Sequence, residues 1–207
     1  MKNILILCGK AASGKDTLKK YIVRALELSG IEFNNVVNTT TRPPREGEVD
    51  GVNYHFCSAE EMTKKILNDE MAEAVLFNDW VYGTENKALS EDKLNVGIFN
   101  LEGIEALRQN PNHNIFAVYL DVEDSVRLIR YLNRENMTKE KINEMFRRYK
   151  ADEIDFADVD DLVDYKLTIV DNESKMVVAD RVLRMALENF EILWKIWYYI
   201  YIKFREG

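Results

Sequence analysis

The chain opens on an uninterrupted aliphatic run, Ile4-Leu5-Ile6-Leu7, within Asn3–Cys8. Comparable short runs return at Asn35–Asn38, Asn95–Asn100, Ile115–Leu120 and Lys166–Val170. Apolar runs of this length, without alternating polar residues, suit strands covered on both faces of a parallel sheet. Between them, apolar residues recur at helical spacing and predict helices over Lys15–Leu28, Ala59–Leu67, Leu101–Gln109, Glu123–Asn133, Lys139–Asp152 and Ser174–Phe204. Such alternation predicts an α/β fold, a parallel sheet flanked by helices on both sides.

Two stretches fit that core poorly. Thr39–Leu89 is long and rich in arginine, glycine and aromatic residues, which predicts an insertion over one end of the sheet. Arg127–Arg148 carries arginines at 127, 130, 134, 147 and 148, so it too is expected to be a mobile cover rather than core. The expected organisation is a single domain over residues 1–207, with a core of 1–34, 91–122 and 153–207, an insertion at 35–90 and a helical lid at 123–152. The last helix carries Leu183, Leu187, Phe190, Trp194 and Trp197 at helical spacing, followed by Tyr198, Tyr199, Tyr201 and Phe204. Its run Ile192–Ile202 is about half a membrane span and contains Lys195, so stable membrane insertion is not expected. A closing helix packed on the sheet, a homodimer contact and a membrane-surface contact all remain open for it.

Length and charge narrow the function. The 207 residues fit one domain with insertions. The 28 basic and 36 acidic side chains give a net charge of −8, which supplies no global field for nucleic acid. Any polyanionic ligand must be held by a local cluster of positive groups. Cys8 and Cys57 offer no disulfide framework, and with His55 and His113 far apart a zinc site is not expected, so a cytoplasmic setting is. The four aliphatic residues of the first run fall short of a secretory signal.

Directly after the first run comes Gly9-Lys10-Ala11-Ala12-Ser13-Gly14-Lys15-Asp16, followed by a helical pattern. Apart from its last position this is the Walker A pattern, in the strand–loop–helix setting that the pattern needs. Glycines at 9 and 14 let the backbone curl so that successive N–H groups point inward. The helix start adds its positive dipole end, and Lys15 adds a point charge for the β- and γ-phosphates. The candidate ATP contacts are therefore Gly9, Ala11, Ala12, Ser13, Gly14, Lys15, Asp16 and Thr17. Asp16 stands where a magnesium-binding serine or threonine is usual, and Thr17 is about 100° further around the helix. Asp16 is either a carboxylate placed favourably in a first helical turn or a metal ligand for Mg2+.

The richest segment is Thr39-Thr40-Thr41-Arg42-Pro43-Pro44-Arg45-Glu46-Gly47-Glu48-Val49-Asp50-Gly51-Val52-Asn53-Tyr54-His55-Phe56. Two arginines three apart, stiffened by two prolines, suit bidentate recognition of phosphate oxygens. The segment resembles the nucleotide-binding signature of guanylate kinases. The resemblance continues at Glu73, at Tyr82-Gly83-Thr84, and at Val163-Asp164-Tyr165 followed by Val170-Asp171-Asn172, covering about residues 3–175. It implies that Arg42, Arg45, Tyr54 and Tyr82 hold the GMP phosphate and that Glu73 and Thr84 hold the base. It further implies that Arg130 and Arg134 are lid arginines closing over the transferring phosphate, and that Asn172 lies near the adenine.

The chain departs from that family pattern at Asp16, at Asn38 where a base-contacting serine is common, at Asn100 where a carboxylate is expected, and at Met145, which takes the register of the last lid arginine. Asn38 is expected to donate its amide to guanine O6, Asn100 to accept from the base, and Arg147 or Arg148 to replace the missing arginine. The implied activity is direct in-line transfer of the ATP γ-phosphoryl group to GMP or dGMP, with magnesium, by a monomer or homodimer. The alternatives are a kinase for another nucleoside monophosphate or small phosphorylated metabolite, and a non-catalytic binding module.

Overall fold

A computed structural model describes residues 1–77, 79–133, 137–170 and 173–192. The elements follow as β1 (Lys2–Cys8), α1 (Lys15–Ser29), β2 (Phe33–Asn35), β3 (Thr39–Thr40), β4 (His55–Phe56), α2 (Ala59–Leu67), β5 (Met71–Phe77) and β6 (Trp80–Glu85). Then come β7 (Leu94–Ile98), α3 (Leu101–Arg108), β8 (His113–Asp121), α4 (Asp124–Leu132), α5 (Lys139–Asp155), α6 (Val159–Leu162), β9 (Tyr165–Thr168) and α7 (Lys175–Asn189).

Five strands form a parallel sheet in the order β2-β7-β1-β8-β9. Ile4, Leu5, Ile6, Leu7 and Cys8 of the central strand are all fully buried, as an unbroken apolar run on both faces requires. Leu5, Leu7, Val96, Val118 and Leu120 point to one face, where they meet Leu18, Ile22 and Leu26 of α1 and the α7 residues Val178, Val182, Leu183 and Leu187. Ile4, Ile6, Ala117 and Tyr119 point to the other, onto Leu101, Ile104 and Leu107 of α3. The apolar residues of α1 fall four apart, which is why that helix has one core face. Gly30, with φ 65°, ends α1 by turning its N–H and that of Ile31 back to Glu27 and Leu26.

The inserted stretch builds a second sheet of its own, β4-β3-β6-β5. Its long hairpin pairs Glu73 with Thr84, Val75 with Tyr82 and Phe77 with Trp80. No strands are expected here from the sequence, although apolar and aromatic runs lie on either side of an Asn78-Asp79 pair, a composition that favours turns. Two further expectations are corrected. The strand expected at Asn35–Asn38 ends at Asn35, and Val36 keeps only one bond to Val96 before Thr39 and Thr40 join the second sheet. The continuous helix expected over Ser174–Phe204 stops at Asn189, with Glu191 at a left-handed φ of 55°. Phe190 is buried against Phe116, ring centroids 6.4 Å apart, so the described part of this segment packs on the sheet. Trp194, Trp197 and the tyrosines beyond lie outside the described residues.

Candidate active site

The loop between β1 and α1 has the shape of a phosphate cradle. Gly9 has φ 149°, and a Cβ there would lie 3.0 Å from Ser13 Oγ and 3.1 Å from the Leu120 carbonyl, so only glycine fits this close approach. Lys15 folds back on the loop, its Nζ donating to the carbonyls of Gly9 at 2.6 Å and Lys10 at 3.1 Å. Burial holds the Lys15 ammonium below the ordinary lysine range, against the opposing pull of Asp16 and Asp152. The Ser13 hydroxyl is buried with no hydrogen-bond partner, a donor available to a ligand oxygen. Asp16 and Thr17, on the first turn of α1, are exposed. A cleft runs from Ser13, Gly14 and Thr17 past Arg130 to Lys175 and Val178 of α7.

Opposite this loop, the predicted acceptor residues converge. Arg42 is buried, donates to Glu48 Oε1 at 2.9 Å and to the Pro43 carbonyl at 2.7 Å, and lies 5.4 Å from the Tyr54 ring centroid. Its Nε has no partner. Burial opposes the Arg42 charge, but hydrogen bonds to Glu48 and Tyr82 outweigh it and leave the group more basic than usual. Arg45 moves the other way, lowered by burial and then by the nearby Arg148 and Arg42 charges. Tyr54 and Tyr82 sit edge to face, centroids 5.9 Å apart. Burial raises the Tyr54 hydroxyl to about 12, with Tyr82 and Asp16 adding to the rise, so the cradle and the acceptor cluster share one electrostatic space. Three like charges with a buried unpaired donor describe a pocket suited to a multivalent anion.

Next to that cluster is a buried carboxylate. Glu73 Oε1 accepts from the Thr84 hydroxyl at 2.7 Å across the β5–β6 ladder, while Oε2 has no hydrogen-bond partner. Burial raises this carboxyl to about 7, and the Thr84 bond offsets only part of the rise. Gly103 of α3 admits it closely: a Cβ there would lie 3.5 Å from Glu73 Oε2 and 2.8 Å from Asn100 Oδ1. Asn38 and Asn100 border the same region with their side chains already engaged. Asn38 Nδ2 donates to the Ile98 carbonyl at 3.2 Å, and Asn100 Oδ1 caps α3 by accepting from Gly103 N at 3.0 Å. Asn100 Oδ1 thus caps α3, for which asparagine is well suited, and keeps a second lone pair.

The described arginines of residues 123–152 have three settings. Arg130 donates to the Ser13 carbonyl at 3.3 Å and lines the cleft beside Ser13, Gly14 and Thr17. Arg147 and Arg148 both bond Glu144, at 2.7 and 2.8 Å, and lower its carboxyl to about 2. Met145, in the register of the missing arginine, is buried. Lys141 of α5 reaches Glu46 of the insertion at 3.5 Å. Arg127 corrects the sequence reading: it is buried rather than part of a mobile cover, because it is bound to Ala11 and Asp152 beneath the loop. Asp124, three residues away, is its one local partner, and the partners that bury it beneath the loop are 116 and 25 residues away. Arg134 and Asn172 lie outside the described residues.

A phosphate loop facing an arginine–tyrosine anion pocket, with a buried carboxylate beside the pocket, matches a known family along most of the chain. The family model for guanylate kinase matches residues 1–184. The chain belongs to the guanylate kinase family. A guanylate kinase of Helicobacter pylori is 29% identical over 205 residues, covering 94% of this chain and 95% of that protein. One of Frankia casuarinae is 39% identical over 104 residues, 50% of this chain and 54% of its own. Among solved structures, a guanylate kinase from Anaplasma phagocytophilum superposes with a TM-score of 0.61 over 89% of this chain and 84% of its own, at 18% identity, which speaks for the fold.

Asp16 is the last residue of the phosphate loop and stands at the start of α1. Among the described residues, no group of three or more His, Cys, Asp or Glu could hold a metal. Asp16 offers a single exposed hard-oxygen donor beside Lys15. That donor set fits magnesium bound mainly through nucleotide phosphates and water, and not a protein-built metal cage.

Proposed function

We propose that this member of the guanylate kinase family phosphorylates GMP, and dGMP through the same base contacts, at the expense of ATP. One observation carries the acceptor's identity: the buried Glu73 oxygen with no partner. A carboxylate beside an anion pocket can accept from guanine N1–H and its exocyclic amine, whereas adenine presents a lone pair at N1. A buried acceptor left unpaired by the wrong base costs the wrong ligand its affinity.

In this reading the core of residues 1–34, 91–122 and 153–207 holds ATP, the insertion 35–90 holds GMP, and 123–152 is the lid. Arg42, Arg45, Tyr54 and Tyr82 grip the acceptor phosphate, and Thr84 orients Glu73 on the base. Asn38 keeps a second amide hydrogen for guanine O6. The acceptor oxygen is already anionic at neutral pH, so no general base is needed. Catalysis reduces to alignment and to neutralising charge on the moving group. Lys15 and Arg130 serve the ATP side, together with Arg134, four residues further along the sequence. Arg147 and Arg148 serve the acceptor side once they exchange Glu144 for phosphate. Magnesium, held by Asp16 and the phosphates, would supply further charge neutralisation. Closing both covers excludes water and so suppresses ATP hydrolysis. The free Cys8 and Cys57 thiols fit a reducing, cytoplasmic setting.

A coupled assay with ATP across GMP, dGMP, AMP, CMP, dTMP and small phosphorylated metabolites tests the reading. Preferential turnover of GMP and dGMP supports it; a comparable rate with AMP or dTMP removes it.

A further inference from the structure

One buried ion pair has no task in the chemistry above. The Arg127 side chain, on α4, is 1% exposed and the Asp152 side chain, on α5, 10%. Together they enclose a single residue of the phosphate loop. Arg127 Nε donates to the Ala11 carbonyl at 2.8 Å, and Asp152 Oδ2 accepts from the Ala11 N–H at 2.8 Å. The two side chains also pair directly with one another. Arg127 is fixed from behind by Asp124 at 2.5 Å and by the Tyr149 ring, whose centroid is 4.4 Å from its guanidinium carbon.

We infer that Arg127 and Asp152 are positioning residues, which hold the phosphate loop in the shape that receives the ATP phosphates and anchor both lid helices to it. Three observations support this. First, both polar groups of one loop residue are satisfied by side chains from two different helices, which fixes that residue's position and orientation. A buried ion pair is not in itself a device for stability, since well-packed apolar residues often do as well. Its hydrogen bonds to one loop residue point to geometry instead.

Second, the next residue, Ala12, has φ 59° without being glycine. Such backbone persists only where its surroundings over-determine it. Ala11 is the neighbouring link, and it is held on both sides.

Third, Arg130 stands three residues after Arg127, and Arg148 four residues before Asp152. Each therefore lies one helical turn from the clamp on the same side of its helix. The clamp is the fixed point from which Arg130 reaches the Ser13 carbonyl of the loop, whereas Arg148 turns to Glu144.

The inference rests on the reading of Gly9–Asp16 as the ATP site, and direct ATP binding keeps its test separate from the identity of the acceptor. The double variant Arg127→Met/Asp152→Leu removes both charges together and so leaves neither buried alone. It is expected to melt close to wild type, bind ATP about tenfold or more weakly by calorimetry, and show the same rise in KM for ATP, with KM for GMP within about twofold. Asp152→Asn is isosteric and keeps an acceptor for the Ala11 N–H, so its loss of ATP affinity should be intermediate. A folded double variant with ATP affinity within about twofold of wild type overturns the inference, as does a parallel rise for ATP and GMP. If the double variant does not fold, Asp152→Asn decides alone: selective loss of ATP affinity upholds the clamp and unchanged affinity removes it. Should wild type bind ATP yet ignore GMP, the acceptor assignment falls while the ATP titrations still judge the clamp.

Discussion

Glu73 and Thr84 face each other across the β5–β6 hairpin, joined by a 2.7 Å hydrogen bond to one carboxylate oxygen while the other is buried without a partner. A polar atom kept unsatisfied inside a protein is costly, so it marks where a ligand completes the site. The expected outcome is that GMP and dGMP are phosphorylated at least about 100-fold better than AMP, CMP or dTMP by kcat/KM. Glu73→Gln should shrink that ratio chiefly by raising KM for GMP. Steady-state kinetics of both proteins over the monophosphate panel check it.

The same carboxyl predicts a pH dependence. Burial raises Glu73 to about 7 in the ligand-free protein, and only its ionised form accepts both guanine donors. GMP binding should therefore release a proton near neutrality, and KM for GMP should fall about tenfold between roughly pH 6 and pH 8. Stability follows with the opposite sign. Because the folded value lies above the unfolded one, this group's contribution is complete at acid pH and is lost as pH rises through about 7. Glu73→Gln should flatten both trends. The titration of the GMP phosphate is common to both proteins and cancels in the comparison.

Gly103 should not tolerate a methyl group. A Cβ would come within 2.8 Å of Asn100 Oδ1 and 3.5 Å of Glu73 Oε2. Gly103→Ala is expected to weaken GMP binding several-fold with ATP binding unchanged, and to lower stability by about 1–3 kcal/mol from overpacking. Calorimetric titration of each nucleotide and a thermal melt measure the two effects.

Loss of the loop lysine should spare the fold. Among the described residues Lys15 bonds to the Gly9 and Lys10 carbonyls, so its removal opens no apolar cavity. Lys15→Met should melt near wild type and lose at least about 100-fold in turnover. Activity within about threefold of wild type would remove the phosphate-loop assignment.

Asp16 should make ATP binding depend strongly on magnesium. An exposed carboxylate beside the phosphate site repels metal-free ATP but becomes a hard ligand once the cation is present. Asp16→Ser should bind ATP more tightly in EDTA and gain less from added magnesium. Calorimetry under both conditions checks this, and equal responses would leave Asp16 as a helix-end charge alone.

What the sequence by itself determined are the features whose parts are contiguous. The run at β1, the loop through Lys15 and the start of α1 are adjacent, and a short segment's backbone chemistry fixes its own geometry. The same holds for Arg42 and Arg45, three residues apart and stiffened by prolines. The apolar periodicity gave α1, α3 and the sheet, because burial on both faces leaves a pattern at every position.

Tertiary structure decided whatever depended on partners distant in the chain. The pairing of Glu73 with Thr84 required the hairpin register, and a shift of one residue would turn every side chain of the strand to the other face. The capping role of Asn100 became visible only once α3 was seen to begin beside it. Arg127 reads as surface charge because an arginine on a polar helix is usually solvated. The approach of Ala11, Asp152 and the Tyr149 ring, all distant in the chain, makes it a buried group. Hydrogen bonds between distant residues leave no period and no spacing in a sequence, and that is why those residues had to be found in three dimensions.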